Sequence, residues 1–192
     1  MSESLPLKFG FQVHVANALW RLVWILLFRI SPPFAVGWRR LLLRAFGAKI
    51  GAGVRIHATT RIRRPWNLVL GDEVRIEPQV ILNANGGINI GSGTLISQYA
   101  HLCAANHDYR DPDMRYLASP IVVGQDCWIA TDAFVGPDCH IGNGSMLAAR
   151  STAFGQLPGG MLLIGEPATP VRPRPAANHL SLIHISEPTR PY

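Results

Sequence analysis

The sequence predicts an all-β fold, a parallel β-helix, with an amphipathic α-helix ahead of it and one long inserted loop. Three observations predict it. From Ile50 onward an aliphatic residue recurs every six positions: Ile50, Ile56 and Ile62, then Leu70, Ile76 and Leu82, then Ile90, Ile96 and Leu102. After a break the series resumes at Val123, Ile129, Val135, Ile141, Leu147 and Ala153. Four positions after most of these stands a small or β-branched residue, among them Val54, Thr60, Val74, Thr94, Ala100, Cys127, Ala133 and Ser145. Gly often follows the aliphatic directly, as at Gly51, Gly91, Gly136 and Gly142. A period of six suits neither an amphipathic helix nor a hairpin. It suits three short strands per coil, each turning one aliphatic inward, with coils stacked about 4.8 Å apart and turn formers at the corners.

Residues 1–49 form the helical segment. Its apolar run from Val13 to Ile30 contains His14, Asn17, Arg21 and Arg29, and an arginine at mid-span would cost about 2.5–3.5 kcal/mol in a bilayer. Trp20, Trp24, Phe28 and the flanking Arg39 and Arg40 suit a helix lying at the headgroup level of a membrane. Packing on its own protein or on a partner subunit explains the same residues equally well. Residues 50–172 form the β-helix domain. Its first two coils are each followed by two extra residues, Leu68-Val69 and Ile88-Asn89, and the loop 108–122 breaks the repeat. Residues 173–179 are a C-terminal tail. Leu180 to Arg190 read LSLIHISEPTR, the translation of a transposase mosaic end joined to a sequencing adapter. Residues 180–192 are therefore expected to be an adapter artefact outside the fold.

A chain of 192 residues that is 48% hydrophobic and 16% charged has the apolar mass for one domain and too little charge for disorder. Its net charge of +6 is nearly all arginine, which favours anionic partners such as a phosphorylated cofactor or an acidic membrane face. The basic residues are spread over the chain without aromatic interleaving, so nucleic acid is not expected as a partner. Cys103, Cys127 and Cys139 are odd in number and lack CxxC spacing, which points to a reducing, cytoplasmic compartment.

A long loop inserted in a regular solenoid is a usual place for function. His107 is expected to be the last residue before the loop, at a coil corner, where an imidazole can be neutral at pH 7 and take a proton from a hydroxyl. Cys103 reads as a packing thiol beside the aliphatic ladder rather than a nucleophile. Counting positions puts His107 and His140 in one corner column, stacked about 5 Å apart, with His101 one corner away.

Several stretches carry a family resemblance. They are Gly37-Trp38-Arg39-Arg40, the run Arg44-Ala45-Phe46-Gly47-Ala48-Lys49-Ile50-Gly51, and Pro65-Trp66-Asn67-Leu68. Ile96-Ser97-Gln98, Leu102-Cys103 and the loop start His107-Asp108-Tyr109 with Asp111-Pro112 complete the set. The chain resembles the hexapeptide-repeat acyltransferases over about residues 15–172, and within them the colanic acid biosynthesis acetyltransferases. The resemblance implies a left-handed coil, a homotrimer and acetyl-CoA as co-substrate, with no metal. It implies His107 as the general base for acetyl transfer to a sugar hydroxyl of an exopolysaccharide precursor. Asn83, Asn85, Asp108, Tyr109 and Trp128 would face that acceptor. Ala130, Thr131 and Ala149 would contact CoA mostly through backbone, and Arg172 its phosphate. Phe154-Gly155, Arg150 and Thr169 depart from the family's pattern near the cofactor. An acceptor that is a lipid-linked oligosaccharide would place the protein in the cytoplasm, peripheral at the inner membrane face. Two alternatives stand beside this reading: a catalytically degenerate β-helix scaffold, and a three-histidine metal site like that of hexapeptide-repeat carbonic anhydrases.

Overall fold

The computed structural model describes residues 10–175; the adapter-like residues 180–192, the tail from 176 and the first nine residues lie outside the described residues. Its body is a triangular solenoid of three parallel faces. Face I holds six strands, from Lys49–Ile50 to Gln156–Leu157. Face II runs from Arg55–Ile56 to Met161–Gly165, and face III from Arg61–Arg63 to Thr152–Ala153. The six-residue ladder is the core. Ile50, Leu70, Ile90, Val123 and Ile141 stack in register on face I. Ile56, Ile76, Ile96, Ile129 and Leu147 do so on face II, and Ile62, Leu82, Leu102, Val135 and Ala153 on face III. All fifteen are buried, as are the small residues four positions on. Each large aliphatic so removed from water contributes roughly 1.5–3 kcal/mol. The ladder runs further than the sequence suggested, to Leu157 and the fully buried Leu163.

The glycines after the face I aliphatics are set by the close approach of neighbouring coils. A Cβ on Gly91 would lie 2.6 Å from the backbone nitrogen of Gln125 in the next coil, closer than any side chain tolerates.

The extra residues sit elsewhere than expected. Leu68 and Ile88 are fully buried members of face I strands, paired with each other and, through Ile88, with Ile121. The added length lies instead in the corner from face III to face I, at 64–67 and 84–87. Burial decides this: a slip that pushed Leu68 outward would expose the ladder residue. The long excursion leaves the same corner, so three enlarged corners stack there. It departs at Ala105 and rejoins face I at Ile121, and is a β-hairpin of Ala105–His107 with Tyr116–Ala118. Ile121 and Val122, expected in the loop, belong to face I.

Helix α1 (Phe11–Val23), continued by a π-helical turn to Phe28, and helix α2 (Val36–Ala45) cover the first coil. Beside the ladder, backbone N–H groups of one coil donate to carbonyls of the following coil, as in Gly51 N to Leu70 O and His57 N to Ile76 O, both at 2.9 Å, while at the corners others donate backward, as in Glu73 N to Ala52 O at 2.8 Å. The ladder carbonyls of the first coil, such as Ile50 O and Ile56 O, therefore have no coil before them, and an unpaired sheet edge is costly if buried. Side chains from the helices fill the deficit on every face. Arg44 donates to Ile50 O (2.7 Å), Arg39 Nε to Ile56 O (2.7 Å), and the indole N–H of Trp20 to Ile62 O (2.7 Å). Trp24 donates to Thr60 O at 2.8 Å. Trp20 and Arg39, read above as candidate membrane-anchoring residues, are 3% and 2% exposed and face the solenoid. The opposite side of the helical layer remains apolar and exposed, with Leu19, Leu22, Leu26, Ile30 and Phe34. Phe11–Phe28 is long and apolar enough to cross a membrane by length and composition.

At the far end, Ala168–Pro173 pairs antiparallel with Met161–Gly165 and closes face II. Arg174 then donates through one Nη1 to the carbonyls of Asp126 (2.8 Å), Ser145 (3.1 Å) and Gly144 (3.3 Å).

His101 on face III packs edge-on against Phe134, ring centroids 5.5 Å apart, and burial lowers its pKa from 6.5. The folded state thus prefers the neutral ring, while the unfolded chain protonates first as pH falls. This contribution to stability is complete above about pH 6.5 and is lost as pH falls through the depressed value. Thermal unfolding followed down through that window is expected to show the loss, and His101→Phe to flatten it; an unchanged slope in the variant would rule His101 out as its source.

Candidate functional site

The hairpin in the face III to face I corner holds the best-organised polar cluster among the described residues. Its tip is built by two aspartates acting as turn formers. Asp108 accepts from the backbone N–H of Arg110 through Oδ1 (3.0 Å), and its own N–H donates to Arg115 O (2.8 Å). Asp111 accepts from Asp113 N at 3.0 Å and pairs with Arg115 Nε at 2.9 Å. Met114 N donates to Asp111 O at 2.8 Å, and Met114 adopts a left-handed φ of 49°. Its carbonyl then lies 2.7 Å from Nδ1 of His107.

That contact assigns the imidazole. A carbonyl only accepts, so Nδ1 carries the proton; in the neutral ring Nε2 is then the acceptor. His107 is exposed, and its ring packs edge-on against Tyr116 with centroids 5.2 Å apart. Tyr116 pairs with His107 across the hairpin, and its hydroxyl accepts from Nδ2 of Asn85 in the coil below. Burial raises the Tyr116 pKa, opposed by the Asn85 hydrogen bond and the nearby Arg64 charge, so the phenol stays protonated.

The remaining candidates fall into two groups. Asp108, Tyr109 and Asn85 belong to the His107 corner. Tyr109 is 75% exposed, with Arg110 stacked on its ring. Asn83 lies on face III beneath Cys103, donating to its sulfur at 3.4 Å, and its Oδ1 is buried without a partner. Cys103 also donates to Ala105 O at 3.4 Å, tying the thiol to the wall. Ala130, Thr131 and Ala149 stack instead along the corner from face II to face III, where Arg150 N donates to Thr131 O at 3.1 Å. Trp128 is on a face II strand rather than at a corner, and its indole reaches Ser97 Oγ at 2.9 Å. Arg172 pairs with Leu162 in the terminal hairpin and is exposed. Within one chain, then, face III separates the His107 hairpin from the Ala130–Thr131–Ala149 column.

Of the departures noted in the sequence, Arg150 forms an exposed ion pair with Asp132 at 3.3 Å, and the Phe154 ring packs on Phe134 with centroids 5.9 Å apart. The histidine column is not formed. His140 pairs with Val122 and Gln156 on face I, whereas the hairpin carries His107 out of the stack and His101 lies on face III. Among the described residues, no three His, Cys, Asp or Glu side chains are grouped to hold a metal.

No family model matches the chain. WcaF of Escherichia coli (strain K12), named as a colanic acid biosynthesis acetyltransferase, is 42% identical over 171 residues, covering 89% of this chain and 94% of WcaF. The chain belongs to the hexapeptide-repeat acyltransferases, in the colanic acid biosynthesis branch. Nodulation protein L of Rhizobium leguminosarum bv. viciae is a more distant relative, 30% identical over 68% of this chain and 70% of that protein. Two solved structures share the fold. The maltose O-acetyltransferase of Clostridium difficile 630 superposes with a TM-score of 0.79 at 18% identity, covering 86% of this chain and 90% of that one. The hexapeptide-repeat acetyltransferase VCA0836 of Vibrio cholerae, complexed with acetyl-CoA, gives 0.78 at 22% identity over 88% and 93%. The coil of this acyltransferase is a left-handed parallel β-helix.

Two features of the His107 corner escaped the sequence. Tyr116 and the Met114 carbonyl orient His107, and neither has a motif. Spacing carried no signal for them: the register that sets Tyr116 opposite His107 belongs to the folded hairpin.

Proposed function

We propose that this acyltransferase moves acetyl from acetyl-CoA to a sugar hydroxyl of an exopolysaccharide precursor, with His107 as general base. The observation that carries this is the Nδ1–H donation to Met114 O, which leaves Nε2 as the acceptor of an exposed neutral ring. The hydroxyl proton passes to Nε2 while its oxygen attacks the thioester carbonyl; a C–O bond forms. The tetrahedral intermediate collapses with cleavage of C–S, and the imidazolium returns the proton to the CoA sulfur. Backbone N–H groups at the developing oxyanion would supply roughly 3–4 kcal/mol per donor.

The separation of the two corners supports a homotrimer. One subunit supplies the His107 hairpin and a neighbour supplies the corner with Ala130, Thr131 and Ala149, so the cofactor lies between subunits. The apolar outer side of the helical layer, flanked by exposed Arg21 and Arg29, supports a cytoplasmic protein held peripherally on an anionic membrane face. Cosedimentation with phosphatidylglycerol vesicles is expected, and loss of it in Leu22→Glu/Leu26→Glu; equal recovery of both proteins would remove the membrane from this reading.

The function is tested by calorimetric titration with acetyl-CoA and by acetyl transfer to a panel of nucleotide-linked and lipid-linked sugars. Saturable heat and transfer to at least one acceptor are expected. No detectable heat at millimolar acetyl-CoA would sink the assignment.

A further inference from the structure

The hairpin that carries His107 leaves the solenoid at Ala105 and rejoins it at Ile121. The imidazole therefore keeps its place only as well as the hairpin keeps its angle to the coils. The second enlarged corner, 84–87, is the platform on which both ends of the hairpin rest. Ala104 N donates to Asn83 O and Ile121 N to Gly87 O, both at 3.0 Å. Between them Gly86 has no room for a side chain. A Cβ there would lie 2.5 Å from Ala104 O and 2.5 Å from Ser119 N, closer than packed atoms tolerate. The first enlarged corner holds the second from below, where Asn67 Nδ2 donates to Ala84 O (3.1 Å) and Asn85 O (3.2 Å).

From this platform the half-buried Asn85 side chain reaches the hairpin, where Nδ2 donates to the Tyr116 hydroxyl. Tyr116 pairs with His107 across the hairpin and packs edge-on against its imidazole, centroids 5.2 Å apart. Met114 O selects the protonated nitrogen, but Met114 belongs to the hairpin and moves with it. The Asn85 hydrogen bond instead ties the ring pair to the coil below. Asn85, expected from the sequence to face the acceptor, thus has its amide engaged by Tyr116. We infer that Asn85 is a positioning residue for His107, acting through Tyr116 rather than on the acceptor. A reacting group displaced by about 1 Å can lose on the order of a hundredfold in rate, so a tie of this kind matters to a base carried outside the stack. The inference rests on the acetyl-transfer reading for its kinetics, but the placement of the imidazole does not.

That independence shapes the test, made on the full-length protein well below its melting temperature. In Asn85→Ala, and in Tyr116→Phe, which keeps the ring and removes the hydroxyl, kcat for acetyl transfer is expected to fall by about tenfold to a hundredfold. The KM for the acceptor should stay within about twofold of wild type, because no acceptor contact is lost. The double variant should be no slower than Tyr116→Phe alone, since both changes remove the same hydrogen bond. A raised acceptor KM with unchanged kcat in Asn85→Ala would overturn the inference and return Asn85 to the acceptor, and additive losses would overturn it as well. The second readout needs no activity. The ring-proton NMR signals of His107, displaced by the Tyr116 ring current, should move toward those of an exposed histidine in Asn85→Ala. Signals that match wild type would show that Asn85 does not place the ring. If wild-type protein acetylates no acceptor while these signals move as expected, the acetyl-transfer reading fails and the positioning role stands.

Discussion

His107→Ala is expected to lower kcat for acetyl transfer by about 10²–10⁴-fold, the usual worth of a positioned general base. The KM for acetyl-CoA should change little, because the residues proposed to hold the cofactor lie on a different corner of the coil. The loss should be nearly as large in His107→Gln, whose amide keeps hydrogen-bonding capacity but accepts no proton. Steady-state kinetics on the preferred acceptor make the check, and rates equal to wild type would remove His107 from the mechanism. The hairpin adds a corollary. Asp111→Ala removes the ion pair to Arg115 and the turn to Asp113 that present Met114, so it should lower kcat less than His107→Ala while leaving the fold intact.

The other large effect concerns stability. Arg39 is 2% exposed, and its guanidinium donates to Ile56 O (2.7 Å), Ser31 Oγ (2.8 Å), Pro32 O (2.9 Å) and Pro33 O (3.0 Å). Burial lowers its pKa, yet an arginine stays charged, and carbonyl dipoles take the place of lost water. One side chain thus closes the edge of face II and holds the turn between α1 and α2. Arg39→Leu leaves these acceptors without donors at an expected cost of about 3–5 kcal/mol. For a chain of this size that is a fall in Tm of roughly 10 °C. Arg39→Lys should recover only part, since one ammonium cannot span the same acceptors. A shift under about 2 °C for Arg39→Leu would show that the first-coil edge is held by other means.

The helical segment shows why its residues were ambiguous in sequence. An apolar stripe bearing Trp20, Trp24 and Arg39 has the composition of a membrane-surface helix because both environments ask for the same side chains. Each needs an apolar body with a polar tip that finds an acceptor, whether a lipid headgroup or an edge carbonyl. Only the position of Ile56 O, Thr60 O and Ile62 O at the start of the stack distinguishes the two. The exposed ridge of Leu19, Leu22, Leu26 and Ile30 remains available for a membrane because the tryptophans turned the other way. The candidate catalytic corner was legible as far as His107, Asp108 and Asn85. The pairing that orients the imidazole was not, because it depends on the hairpin starting at Ala105 rather than Asp108.

The ladder from Ile50 to Ala153, the small residues between its rungs and the existence of one long insertion were all readable from spacing, though not the insertion's ends, because a β-helix repeats one local geometry and writes its period directly into the chain. Three matters belonged to the folded molecule. These are the corner that absorbs the extra residues, the capping of the first coil by Arg39, Arg44 and Trp20, and the seating of Tyr116 between Asn85 and His107. Each depends on residues from six to 42 positions apart meeting across a coil, a helix or a hairpin, and no period in the sequence records such a meeting.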